Sequence, residues 1–230
     1  MTIQPGQGEY ALGDVAPDIA LGSVPAGTSL LLVGAPDTGA TDFTFRVLAA
    51  APRAAECVIL ATTDSAPATL TERYQSALES PDDLEHLHVV DAFHSGPERD
   101  IGPLSPAHVE AASSPADVTG IGVGVTNHLR SIPFNRVRLG LVSLSPIVDL
   151  IGSERAFAFC HVLMSRIDSA DHLGLFVVDP TRHEPEHVRV FQSLTDGAFR
   201  FRNAGGTREI RGTGVVDDVS EWKPWSTDVE

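Results

Sequence analysis

Lysine is almost missing from this chain. Lys223 is the only one, and the other fifteen basic residues are arginine. Against 31 aspartates and glutamates this leaves a net charge of −15. An excess of that size repels polyanions. Non-specific nucleic-acid affinity comes mostly from Lys and Arg neutralising phosphates, so nucleic acid is not an expected partner. Cysteine is scarce too. Cys57 and Cys160 lie in apolar runs and read as small buried hydrophobes, with no CxxC or CxxH spacing to suggest a metal. Long apolar runs are also lacking. None approaches the roughly 20 residues that span a bilayer, and Met1–Tyr10 has no basic-then-apolar signal pattern. The expectation is a soluble cytoplasmic protein without a membrane partner.

What is present is a globular α/β pattern. Of 230 residues, 42% are apolar, enough for a sizeable core. Short apolar runs read as buried strands at Ser29–Val33, Cys57–Thr63, Leu87–Asp91, Arg138–Leu144 and Leu173–Asp179, with a short one at Val109–Ala112. Helical spacing fills the intervals: Asp42–Ala50, Ala66–Glu79, Ser113 to about Arg130, Glu154–Ser169 and Glu184–Leu194. In the fourth, Ala156, Cys160, Leu163 and Ile167 share one face. Ala198–Arg202 and Arg208–Arg211 predict an antiparallel hairpin around Asn203–Gly206, and residues 94–107 read as a long loop. Strands alternating with helices imply a mainly parallel sheet covered on both faces.

The most informative stretch is Leu30–Phe43. An apolar run ends in Gly34, and Gly39 and Thr41 stand where G-x-x-x-x-G-K-[ST] puts its second glycine and its hydroxyl. The lysine position is Ala40. A phosphate loop holds its anion with backbone N–H groups at a helix N-terminus. Its lysine adds charge on the β/γ-phosphates, and its hydroxyl ligates magnesium. The candidate binding loop is Gly34, Asp37, Thr38, Gly39, Ala40, Thr41 and Asp42, with its charge removed and two carboxylates added. The expectation is that Asp37 partly occupies the anion site itself.

The order of parts resembles the RecA-type ATPase core, and more narrowly the KaiC-like proteins of archaea, over roughly residues 20–203. Val24–Gly34 resembles that family's approach to its phosphate loop. Val137–Pro146 resembles its Walker B strand. Ser114–Gly122, Phe159–Ile167 and Leu173–Pro180 resemble a haloarchaeal branch of uncharacterised KaiC-like proteins, and the acidic, lysine-poor composition resembles proteins of salt-loving archaea. The resemblance implies a RecA-like P-loop NTPase fold spanning 21–214, after a lead-in at 1–20 and before an acidic tail at 215–230 that carries Trp222 and Trp225. It also locates the losses. The metal-holding aspartate falls on Val142, and the catalytic glutamates fall near Thr62 and Thr63, leaving Asp64 as the one nearby candidate base. Transition-state charge stabilisation is the main device of phosphoryl transfer, so three altered positions imply that hydrolysis is gone. ATP and Mg are the candidate cofactors. The reading is a pseudo-ATPase acting as a regulatory or interaction module, with a protein partner or a homo-oligomer. The alternative is a KaiC-like ATPase with weak or assembly-dependent hydrolysis.

Other groupings are weaker. His86, His88, Asp91 and His94 suggest a metal site, but a polar strand edge explains them as well. His183 and His187 have i, i+4 spacing beside Glu184 and Glu186, which make a solvated face. Ser143, Ser145 and Asp149 lack a G-x-S-x-G elbow. Arg200, Arg202, Arg208 and Arg211 read as a basic strip on the hairpin or as paired surface arginines.

Overall fold

The computed structural model describes residues 8–12, 21–51, 55–78, 81–93, 99–133, 135–214 and 220–226. Its elements are β1 (Glu9–Ala11), β2 (Ser23–Pro25), β3 (Ser29–Val33), α1 (Ala40–Ala49), β4 (Glu56–Thr62), α2 (Pro67–Gln75), β5 (Leu87–Asp91), β6 (Val109–Ala111), α3 (Val118–Ser131), β7 (Arg136–Leu141), α4 (Ser145–Ile151), α5 (Ser153–Ser169), β8 (Leu173–Val178), α6 (Pro185–Gln192), β9 (Gly197–Ala204), β10 (Thr207–Gly214) and β11 (Lys223–Pro224).

Nine strands form one sheet in the order β11-β10-β9-β3-β8-β7-β4-β5-β6. From β9 to β6 every neighbour is parallel, and the β9–β10–β11 edge is antiparallel. The apolar runs explain this. Strands β3, β4, β5 and β8 are buried at every position, as a sheet covered on both faces requires. One apolar layer joins the sheet to α1 and α2, and includes Phe43, Phe45, Leu48 and Leu70. The other joins it to α3, α4, α5 and α6, and includes Ile121, Ile147, Cys160 and Phe191. Because the central strands are parallel, their C-terminal ends gather at one edge, where ligands of such sheets bind.

Several boundaries move for physical reasons. The helix read from Ser113 begins at Val118, because Asp117 caps it: its Oδ1 accepts from Gly120 N at 2.8 Å, and its Oδ2 takes the Ser113 amide and hydroxyl. Helix α2 is closed by Gln75, short of the expected Glu79, which lies outside the described residues. The strand read at Arg138–Leu144 is Arg136–Leu141, and the helix after it, α4, carries Pro146 in its first turn. Within the expected lead-in, Tyr10 pairs with Val24 through β1 and β2 and is fully buried. Of the 94–107 loop, 94–98 lie outside the described residues. The rest is tied down by Leu104, which is buried, and by Ala68 N donating to Asp100 O at 3.0 Å. Among the described residues no helix is long and apolar enough to cross a membrane.

Candidate functional site: the loop after β3

Strand β3 delivers Gly34 to the C-terminal edge, where its N–H donates to Val178 O at 3.1 Å. A single 3₁₀ turn, Pro36–Thr38, follows, and Gly39 at φ 87°, ψ 10° leads into α1. Glycine is the residue that reaches this left-handed region without a Cβ penalty. The strand–turn–helix path expected of a phosphate loop is therefore present.

The turn is braced by its own side chain. Thr38 is buried, and its Oγ1 donates to Ala35 O at 2.6 Å. The hydroxyl hangs so closely over Gly34 that a Cβ there would fall 2.5 Å from it. This corrects the expectation for Asp37. That residue is exposed, and its backbone carbonyl accepts from Arg208 Nε at 3.1 Å. Thr38, not Asp37, fills the turn, because a short side chain can bond back to its own loop while staying buried.

Position 40 is closed as well as uncharged. Ala40 is 2% exposed and belongs to the apolar layer under α1. Thr41 is half-buried at the first turn of α1. Asp42, beside it, is held by Arg73 at 3.0 Å and Arg208 at 3.6 Å, and it also suits the positive end of the helix dipole.

The C-terminal segment closes the loop from one side. Strand β11 pairs with β10 and sets Trp225, 4% exposed, against Gly39. The indole Nε1 donates to Thr38 O at 3.4 Å, and the ring joins Phe43 and Phe201 in an aromatic cluster. Trp222 sits apart, covered by the guanidinium groups of Arg202 at 4.0 Å and Arg211 at 5.0 Å. The arginines of the hairpin therefore do not form one strip. Arg200 donates to Gln192, Arg202 pairs with Glu209, and Arg208 turns to the loop.

The remaining positions of a nucleotide site are also occupied otherwise. Val142 is buried, with its N–H on Ala61 O at 3.0 Å. Thr62 donates its hydroxyl to Ser65 O, Thr63 donates to Ser143 O, and Asp64 is exposed and accepts from the Ser65 hydroxyl at its Oδ1. The carboxylate on the strand next to the loop is Asp179, which follows β8; it is folded back onto the Thr181 amide and hydroxyl at 2.9 and 2.7 Å. Asp91 is fully buried at the end of β5 and paired with Arg99 at 2.9 Å. It lies four strands from β3, roughly 19 Å away at ordinary strand spacing. That is too far to share a metal with Thr41. The lysine and the metal carboxylate are both replaced by apolar side chains, Ala40 and Val142, so these residues do not fit a magnesium–triphosphate group.

The other groupings resolve differently. Among the described residues no three His, Cys, Asp or Glu side chains converge on a metal position. His86 closes a 3₁₀ segment before β5 begins, so it does not share a strand face with His88, and His94 is outside the described residues. His88 instead meets His128 of α3, Nδ1 to Nδ1 at 3.2 Å, a pairing no local pattern announces. Burial lowers the pKa of both, that of His88 to about 4. His183 precedes α6 while His187 lies within it, and His183 faces Asp149. Ser145 is buried and accepts from Asp179 N, leaving no triad with Asp149, which pairs with Arg182. Burial holds the Cys57 thiol up at about 11 and Cys160 at about 12, as expected of inert core cysteines.

Residues 27–200 match DUF7504, a family of unknown function. The chain belongs to it. The DUF7504 span runs from the turn before β3 to Arg200 in β9, and so contains the whole loop and both helical layers. Trp225 and its strand lie beyond that span. A search of curated proteins finds no match.

Proposed function

We propose that this DUF7504 chain is a RecA-like domain of the KaiC-like type in which the phosphate loop has become a structural turn. It works without catalysis, as a regulatory or protein-interaction module in a salt-loving archaeal cytoplasm. The observation that carries this is the double filling of the loop: Thr38 over Gly34 from within and Trp225 over Gly39 from outside. Both contacts brace the strand-to-helix turn as a packed element, and no lysine stands in it to hold a phosphate. The buried Val142 and the mainly parallel sheet with its antiparallel edge support the same reading. The engagement of the hairpin arginines with Gln192, Glu209 and Asp37 supports a partner that is not nucleic acid.

The test is titration calorimetry with ATP and Mg at molar salt. No saturable heat is expected. Tight ATP binding that is abolished by Thr41→Ala would replace this reading with that of an ATP-binding KaiC-like protein. For the interaction role, a strictly monomeric protein that takes no partner in its host would count against it.

A further inference from the structure

On the face of the sheet opposite α1 lies an open groove of about 700 Å³ between α3 and α5. Helix α3 rests over β4, β5 and β6, while α5 rests over β3 and β8. The gap between them is left unfilled. The α5 wall repeats over three turns: Arg155, then Ala158 and Phe159, then Val162 and Leu163, then Arg166. This is an apolar stripe, Ala158 to Leu163, flanked by a cation at each end, the two arginines about 16 Å apart along the helix. On the α3 wall, Val123 faces the groove and Arg130 closes one end.

Two features set the groove apart. Val162 is 68% exposed and Val123 52%, an apolar surface that a folded chain covers when it can. Among the described residues no aspartate or glutamate lines it, although acidic residues outnumber basic ones almost two to one in the chain. The three arginines are exposed, and among the described residues none has an ion pair or side-chain hydrogen bond. Among the described residues the other arginines are spent on the protein's own carboxylates, carbonyls, a glutamine amide and rings; these three are held out, around an apolar floor.

We infer that the α3–α5 groove docks an acidic amphipathic helix of a second protein. Its apolar ridge would lie between Val123 and Val162, with carboxylates at either end meeting Arg155, Arg166 and Arg130. Helix-in-groove recognition fits an apolar stripe bracketed by cations over three turns of α5, and Gly122, where a Cβ would meet nothing within 4 Å, leaves room on the α3 side. A second copy joined through this groove about a twofold axis would set the arginine triplets against each other, which disfavours it. A nucleic acid would find three cations on a chain of charge −15. The inference does not depend on the loop after β3 and stands whether or not that loop takes nucleotide.

The test is selection of helical peptides from a randomised displayed library on the full chain, with affinities then read by fluorescence anisotropy. The expected result is a consensus of apolar residues at i, i+3, i+4 and i+7 flanked by Asp or Glu. Val162→Asp and the pair Arg155→Glu, Arg166→Glu should each weaken binding roughly tenfold or more, while the unfolding transition stays unchanged because these side chains are exposed. Binding should weaken further as salt rises. Basic or structureless consensus peptides, or binding indifferent to these substitutions, would overturn the inference. So would self-association of the wild type that Val162→Asp abolishes, since it would make a second copy the occupant.

Discussion

Trp225 lies against Gly39 so closely that a Cβ at position 39 would sit 2.9 Å from the indole Cζ2 and 3.1 Å from Nε1. Tail, loop and hairpin thus pack as one unit around Phe43 and Phe201. Gly39→Ala carries two costs, the left-handed backbone at φ 87° and the displaced indole. We expect it to destabilise the fold by about 2 kcal/mol or more. Trp225→Ala should lose about 3–5 kcal/mol, as for other buried ring deletions. Chemical unfolding checks both. In a Trp222→Phe background, Gly39→Ala should also shift the remaining indole emission to the red. Unchanged emission and stability would mean that the tail does not rest on the loop.

Much of this architecture was legible in the chain. Leu30–Val33 and Leu173–Val178 read as buried strands because parallel strands are apolar throughout, and the turn at Asn203–Gly206 announced its hairpin. The loop's path was legible from Gly34 and Gly39. Its filling was not, since the contact partners are Thr38, whose rotamer no pattern specifies, and Trp225, which arrives from far along the chain. His128 was invisible for the same reason: its partner His88 is 40 residues away and on a strand. Asp37 misled because charge suggested an anion mimic, while burial decided for the smaller, neutral Thr38.

At the other end of the sheet, Arg138 is fully buried against Glu56, Nε to Oε2 at 2.6 Å, with Nη1 donating to Val47 O at 2.6 Å. Arg136 takes the other Glu56 oxygen at 3.1 Å, and the Tyr10 ring lies 4.0 Å from the Arg136 guanidinium. Removing Glu56 strands a buried cation, whereas removing Arg138 leaves Glu56 its second arginine. Glu56→Leu should therefore cost about 3–5 kcal/mol and exceed Arg138→Leu. The double replacement should recover much of the loss. A double-mutant cycle by chemical unfolding measures this, and additive single effects would refute the coupling.

The His88–His128 pair gives the fold an acid limit. His128 Nε2 lies 3.0 Å from Val89 O, and a carbonyl only accepts, so Nε2 carries the proton and Nδ1 is bare. His88 Nδ1–H then donates to it. His86 and His108 face His88 as further like charges, and Glu110 faces His128. Burial lowers the His88 value from 6.5 to about 4, so between those limits the unfolded chain binds more protons than the folded one. Stability is full above pH 6.5 and falls as pH drops toward 4, by on the order of 3 kcal/mol. His88→Leu should flatten that segment relative to wild type. Parallel slopes for the two proteins would place the acid sensitivity elsewhere.

Restoring the missing lysine tests whether the loop lost only a charge. Ala40 is 2% exposed, with Gly34 against it and the apolar layer beneath. A lysine there must either bury its ammonium, at several kcal/mol unless it deprotonates, or force the turn open and expel Trp225. Both routes destabilise. We expect Ala40→Lys to lower the unfolding midpoint markedly and to give no saturable ATP heat, because Val142 still offers no metal ligand and Thr38 still packs against Gly34. Pairing it with Thr38→Gly separates the terms. The second change empties the turn, and if the double variant binds ATP while the single one does not, occupancy by Thr38 is what closes the site. An Ala40→Lys protein as stable as wild type that binds ATP would show that the loop remained open all along.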